Sequence, residues 1–245
     1  MKKLIKRLMR IAGIPFVLAD YFKFKKALCQ ESDRFPMSIK DFYPRFIDKT
    51  ISTGFDRHYV YHTSWAARKV KEINPSLHID IGSGLHFSGI LSAFIPVDFY
   101  DYRPAALLLP GLRSLEGNLH SLPFENNSVA SLSCMHTIEH IGLGRYGDPI
   151  DPDGDIKAAR ELARVLKPGG SLLFVTPIGR RSLIEWNAHR IYTYEDALAL
   201  FGGLELKEFS FIHEHEKDGG IVFNADPALS RTEHYGCGCF WFVKK

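Results

Sequence analysis

The chain has 245 residues, 45% of them hydrophobic and 24% charged, with a formal net charge of +3. That is ordinary for a soluble globular protein, and the length suits one large domain with small additions. The charge is uneven. Residues 1–30 hold eight basic residues and one acid, a local charge of +7, while 23 basic and 27 acidic residues leave the rest at −4. A mildly acidic body argues against a nucleic-acid partner. Cys29, Cys134, Cys237 and Cys239 make no disulfide framework. Cys237-Gly238-Cys239 has one intervening residue rather than the two of a redox or zinc pair, so all four read as reduced thiols of a cytoplasmic protein. No internal repeat or low-complexity tract is present.

In the N-terminal segment, residues 1–30, Leu4, Ile5, Leu8, Met9 and Ile11 recur at helical spacing between lysines and arginines. Three readings stand. A basic amphipathic helix can lie peripherally on an anionic membrane surface at the cytoplasmic face. Val17-Leu18-Ala19 resembles a signal-peptide cleavage site. The third reading is a helix packed on the domain with a solvated basic face. The apolar run Ile11 to Ala19 is too short to span a bilayer.

Residues 31–75 read as a helical cap or lid, broken at Pro36 and Pro44 and rich in aromatic residues from Phe55 onward. His58 and His62 share a helix face, but no third ligand is evident, so no metal is expected. A buried strand from Leu77 to Ile81 then enters the turn Gly82-Ser83-Gly84. There the glycines permit close approach of a ligand to bare backbone. A helix from about His86 to Phe94 follows. Further strands are expected at Val97 to Tyr102, Leu115 to Leu119, Val129 to Met135 and Ser171 to Thr176. Asp101 stands at the end of the second strand, where a carboxylate can accept hydrogen bonds from a ribose diol. Asp153 or Asp155 is expected to cap a helix reaching Lys167. A helix (Tyr194 to Phe201) and two strands (Leu204 to Ile212, Gly238 to Val243) close the chain.

Two local patterns fail on context. His136-Thr137-Ile138-Glu139-His140 fits an inverted zinc-protease motif, but it follows a buried strand rather than lying on a helix. Asp151-Pro152-Asp153-Gly154-Asp155 lacks the ligand set of a calcium loop.

Asp80-x-Gly82-x-Gly84, Asp101, Leu122-Pro123-Phe124, Glu139-His140-Ile141 and Leu166-Lys167-Pro168-Gly169-Gly170 resemble, in order and spacing, the class I methyltransferases that use S-adenosylmethionine. The likeness runs over about residues 75–178. Ile138 to Pro152 and Asn187 to Tyr192 also look like the uncharacterised family catalogued as domain of unknown function 268. The resemblance implies an α/β fold for residues 76–245: a doubly wound, mostly parallel, seven-stranded Rossmann-like sheet with a helical N-terminal extension.

It also implies a site. Asp80, Gly82, Ser83 and Gly84 would floor the methionine moiety of S-adenosylmethionine. Asp101 would hold the ribose hydroxyls, Asn118 and Leu119 would meet the adenine, and Met135 with His136 would border the sulfonium. The third glycine of the turn falls at His86, which points to a narrower pocket or to a degenerate, non-binding member. A hydroxyl nucleophile needs a base near neutral pKa, and His140, His136 and His189 follow the strand ends where one would stand. Arg145, Tyr146, Asp148, Asp151, Asn187 and Arg190 are loop-borne candidates for a hydroxyl-rich or anionic substrate. The expectation is a methyltransferase acting on a small or glycan-linked hydroxyl. A catalytically silent binding or scaffold protein and a nicotinamide oxidoreductase are the alternatives.

Overall fold

The computed structural model describes residues 2–31, 35–46 and 48–245, with side chains from residue 13 onward except at 29–34 and 47. The chain divides into two compact units, Met1–Phe55 and Asp56–Lys245. The boundary therefore falls after Phe55 rather than near residues 30 and 75. In the first unit, α1 (Lys2–Glu31) runs through Pro15. It exposes Phe16, Phe22 and Phe24. All five apolar positions read as its amphipathic stripe, Leu4, Ile5, Leu8, Met9 and Ile11, lie outside the described side chains. The expected helical content of residues 35–55 reduces to one short turn at Ile39–Asp41.

The second unit is built on an eight-stranded sheet. Its strands in chain order are β1 (His78–Ile81), β2 (Val97–Asp101), β3 (Leu112–Glu116), β4 (Val129–Met135), β5 (Leu166–Ile178), β8 (Glu205–Ile212), β9 (Ile221–Val222) and β10 (Gly236–Val243). A separate two-stranded hairpin joins β6 (Leu183–Glu185) to β7 (His189–Ile191). The spatial order is β3-β2-β1-β4-β5-β10-β8-β9. The first five strands are parallel, and β10 runs antiparallel between β5 and β8. The expected seven strands become eight because the two-residue β9 pairs with the end of β8.

Period-two alternation sorts the core onto the two faces of this sheet. Phe240 and Phe242 of β10 and Phe174 of β5 face one way, into a cluster with Ala158, Leu162, Phe201 and Phe209. Cys237, Cys239 and Trp241 with Leu173 and Val175 face the other way, against Trp65, Ala66, Val70 and Phe87. Each aromatic ring removed from water in this way contributes about 2–3 kcal/mol. The helices α4 (Gly154–Val165) and α5 (Tyr194–Ala199) cover the first face. The helices α2 (Arg57–Ile73) and α3 (Leu85–Leu91) cover the second.

Residues of α2 show why it packs there. His58, His62, Trp65, Ala66 and Val70 are its buried residues, one stripe at helical spacing. The Asp56 side chain accepts the Tyr59 N–H and starts the helix, and Asn74 in the left-handed region ends it. So α2 is an integral layer of the domain rather than a lid. At the start of α4, Asp153 occupies the cap position without a side-chain bond. Asp155 instead accepts the Tyr192 hydroxyl at 2.9 Å.

Candidate functional site

The strand order reverses between β1 and β4, and a doubly wound sheet opens its binding crevice at the carboxyl ends of such a pair. Two chambers lie there. One, of about 520 Å³, is lined by Gly82, Ser83, Gly84 and Met135, then by His58, Tyr59, His136, Glu139, His140, Arg145, Tyr146, His189 and Tyr235. The other, of about 300 Å³, is lined by Asp101, Asn118, Leu119, Ile141, Tyr146 and Asp148 among others. They share Gly82, His136, His140 and Tyr146 as lining residues, so the two chambers adjoin.

The floor is built from the turn after β1. Gly82 has φ +66, and a Cβ there would stand 2.7 Å from Thr137 Cγ2, so the position demands glycine twice over. Ser83 Oγ accepts the Met135 N–H at 3.1 Å and ties the turn to the end of β4. Asp80 is corrected from a contact residue to a positioning residue. It is fully buried and lines neither chamber. Its Oδ1 accepts the Ser133 hydroxyl at 2.6 Å and its Oδ2 accepts the Ser88 hydroxyl. Burial raises its pKa, and the serine hydroxyls oppose that rise. Beneath it, His78 bonds Ser131 and Ser133, and burial lowers its pKa to about 3, which makes it a neutral core histidine.

His86 does not narrow the cleft. It is exposed and lines a separate groove with Phe87, Ile90 and Phe94 on the far side of α3. The feature that pointed to a degenerate member is therefore sterically neutral for the cofactor floor.

The residues of the second chamber fit an adenosyl group. Asp101 accepts the Arg103 N–H at 2.8 Å and presents its carboxylate to the chamber. Leu119 and Ile141 supply apolar wall. Asn118 Oδ1 accepts the His120 N–H at 2.9 Å, which fixes the amide beside Leu119. Carboxylate, amide and apolar wall are the donor set that a ribose diol and a purine require.

The first chamber holds the ionisable groups. Glu139 is fully buried between two histidines. His136 Nδ1 donates to its Oε1 at 2.8 Å, and His140 Nε2 lies 4.0 Å from the same oxygen. Burial lowers the His136 pKa, but Cys237 and Glu139 outweigh it and raise the value overall. With Nδ1 on Glu139 and Nε2 3.5 Å from Cys237 Sγ, His136 has no nitrogen free to take a proton, which removes it from the expected bases. His140 differs. Its Nδ1 donates to the Ala188 carbonyl at 2.7 Å, leaving Nε2 as the acceptor. Burial lowers its pKa, with Arg145 and His136 acting the same way and Glu139 and the Ala188 backbone opposing. His189 also lines the chamber, 3.3 Å from Glu185, and burial lowers its pKa.

Among the expected substrate residues, Arg145 and Tyr146 reach the cleft. The guanidinium groups of Arg103 and Arg145 each lie over the Tyr146 ring, at 4.8 and 5.0 Å from its centroid. Asp148 lines the second chamber while accepting the Gly142 and Tyr146 N–H groups. The other three build loops and line neither chamber. Asp151 pairs with Lys157 at 2.5 Å. Arg190 is buried and donates to the Ile141 and Pro152 carbonyls. Asn187 is exposed in the β6–β7 turn.

The sequence reading missed Glu139, Tyr235 and Cys237. It also left Tyr59 and His58 as helix-face residues. The early signals were Glu139 between two histidines in a strand-end loop and the shared face of His58 and His62.

Comparisons with known proteins agree with this architecture. The model of the family described as Caenorhabditis protein of unknown function, DUF268, matches residues 123–227. None of the curated proteins matches the sequence. Among solved structures, the YcgJ protein from Bacillus subtilis is 15% identical, with a TM-score of 0.50 over 75% of this chain and 98% of that one. A SAM-dependent methyltransferase from Thermotoga maritima is 18% identical, with a TM-score of 0.51 over 77% of this chain and 90% of that one. A TehB-like SAM-dependent methyltransferase from Corynebacterium glutamicum is 19% identical, with a TM-score of 0.50 over 76% and 89%. The chain carries the class I methyltransferase fold, and its residues 123–227 match the family of unknown function 268.

Proposed function

We propose that the protein is an S-adenosylmethionine-dependent methyltransferase whose acceptor is a small or glycan-linked hydroxyl. The observation that carries this reading is the pair of adjoining chambers at the β1/β4 switch point, with the Asp101 carboxylate in one chamber and His140 lining both. Asp101, Asn118 and Leu119 would hold the adenosyl part, and the backbone from Gly82 to Gly84 with Met135 would hold the methionine part. When bound, S-adenosylmethionine supplies an electrophilic methyl group on a sulfonium.

The protein's residues do the rest. The walls exclude water and hold an acceptor oxygen against the donor end of the cleft, which is most of what a displacement requires. His140 Nε2 takes the acceptor's hydroxyl proton. Its Nδ1 bond to Ala188 fixes the tautomer that can do so. Arg145 and Tyr146 orient the acceptor. Residues 1–30, with their +7 charge, would bring the enzyme to an anionic membrane surface.

Isothermal titration with S-adenosylmethionine tests the cofactor assignment, and methyl transfer to a panel of sugar and lipid-linked hydroxyls tests the acceptor class. Saturable cofactor binding with transfer to one acceptor class supports the reading. Cofactor binding with transfer only to amines or thiols would overturn the acceptor assignment.

A further inference from the structure

We propose that His58, His136 and Cys237 form a three-ligand site for a zinc ion, with its fourth position open to the larger chamber. The three residues come from α2, from the loop after β4 and from β10, so only the folded domain assembles them. One ligand atom from each lies within 4.8 Å of the others, and all three residues are buried. The proposal rests on this geometry and not on the methyltransferase reading.

Four observations support it. First, His136 Nε2 and Cys237 Sγ are 3.5 Å apart. Tetrahedral zinc with bonds of about 2.3 Å to sulfur and about 2.0 Å to nitrogen sets its ligand atoms about 3.6 Å apart. Second, the remote nitrogen of His136 donates to a fully buried carboxylate, Glu139 Oε1, at 2.8 Å. That is the outer partner that fixes the tautomer of a metal-bound imidazole. Third, His136 is held at φ 53, in the left-handed region that non-glycine residues adopt uncommonly. Such strain concentrates where a side chain must be aimed. Fourth, His58 and His136 line the chamber while Cys237 is fully buried against His136, so a bound ion would meet solvent or substrate on one side.

Two imidazoles and a thiolate are a borderline-soft donor set that selects zinc over magnesium or calcium. Three protein ligands with an open position are the arrangement in which zinc binds a water or a substrate oxygen. The ring of His58 stacks on that of His136 with centroids 5.5 Å apart. Closing His58 onto the ion would take a movement of a side chain that belongs to α2 rather than to the sheet.

The test uses the full chain, stripped of metal with chelator, and Zn²⁺ and Co²⁺ as probes. One equivalent of Co²⁺ should bind and give a thiolate-to-cobalt charge-transfer band with tetrahedral d–d absorption, and Zn²⁺ should displace it. Cys237→Ser should abolish the band, and Cys239→Ser should retain it. His58→Asn, at the buried start of α2, should weaken Zn²⁺ binding by more than about 100-fold. Glu139→Gln should weaken it by the roughly 10–100-fold typical of an outer partner. A folded wild-type chain that binds neither ion would overturn the proposal, and so would a charge-transfer band that survives in Cys237→Ser. Metal binding without affinity for S-adenosylmethionine supports the zinc site and removes the methyltransferase reading. Cofactor affinity with no metal binding does the reverse.

Discussion

At the scale of single residues, the cleft separates groups that touch ligand from groups that aim them. Asp101 faces the second chamber with little to bind but the Arg103 N–H. Asp101→Ala is expected to weaken S-adenosylmethionine binding by ~1–3 kcal/mol, measured by calorimetry, because it removes hydrogen bonds to a charged acceptor. His140 makes a pH prediction. Its pKa lies below the ordinary value, so the neutral, proton-accepting form predominates at neutral pH. Turnover should be flat from about pH 7 upward and fall on the acid side as the ring protonates. Glu139 raises this pKa and Arg145 lowers it. Glu139→Gln should therefore move the acid limb to lower pH and Arg145→Gln to higher pH, read from kcat profiles. Limbs that fail to move in opposite directions would place the base elsewhere.

The floor and the carboxylate at the end of β2 were readable from spacing, because turn glycines and strand-end acids obey backbone geometry. The loop residues were not. Arg190, Asp151 and Asn187 carry the same side-chain chemistry as Arg145 and Asp148. Only the fold shows that Arg190 is spent on the Ile141 and Pro152 carbonyls and Asp151 on Lys157. His86 illustrates the converse. Its position in the motif suggested an obstruction, but a residue in the first turn of α3 can turn its side chain outward, and this one does.

At the scale of elements, α2 is the piece whose role changed most. It packs against β8 through Lys69, whose ammonium pairs with Glu208, and through the Trp65 indole N–H, which donates to the same carboxylate at 3.0 Å. Glu208→Ala leaves both partners without it in a mostly dry interface. The expected loss is about 3 kcal/mol of unfolding free energy, checked by urea denaturation. Burial raises the Glu208 pKa, but Lys69, Trp65 and Ser210 lower it further, so it ends below the ordinary value. The carboxylate's contribution is therefore present above the unfolded value and fades as pH falls through the folded one. The deficit of the variant should shrink below about pH 4.5.

Strands β4, β5 and β10 were legible because each is buried over most of its length, and β8 because its second half is buried. The third strand was read at Leu115 to Leu119 and lies at Leu112–Glu116, since its half-exposed residues give a weak pattern. Strands β6, β7 and β9, of three, three and two residues, are too short to show a period.

At the scale of the whole molecule, the two units carry different chemistry. The helix α1 contributes exposed phenylalanines and a cluster of Lys23, Lys25 and Lys26. No helix of the described residues is long and apolar enough to cross a membrane. Sedimentation with anionic vesicles should carry down the full chain and leave a chain lacking residues 1–30 in solution. Equal behaviour of the two would end the membrane assignment. The second unit holds the sheet, the switch point and both chambers, and its mostly parallel sheet is the one that the resemblance to class I methyltransferases implied.

The function proposed for this cleft depends on its taking an adenosyl sulfonium cofactor. Isothermal titration of the full chain with S-adenosylmethionine, S-adenosylhomocysteine and NAD tests it most directly. Saturable one-to-one binding of the first two and none of the third is expected; affinity for NAD alone, or for none of them, would contradict a sulfonium-cofactor cleft.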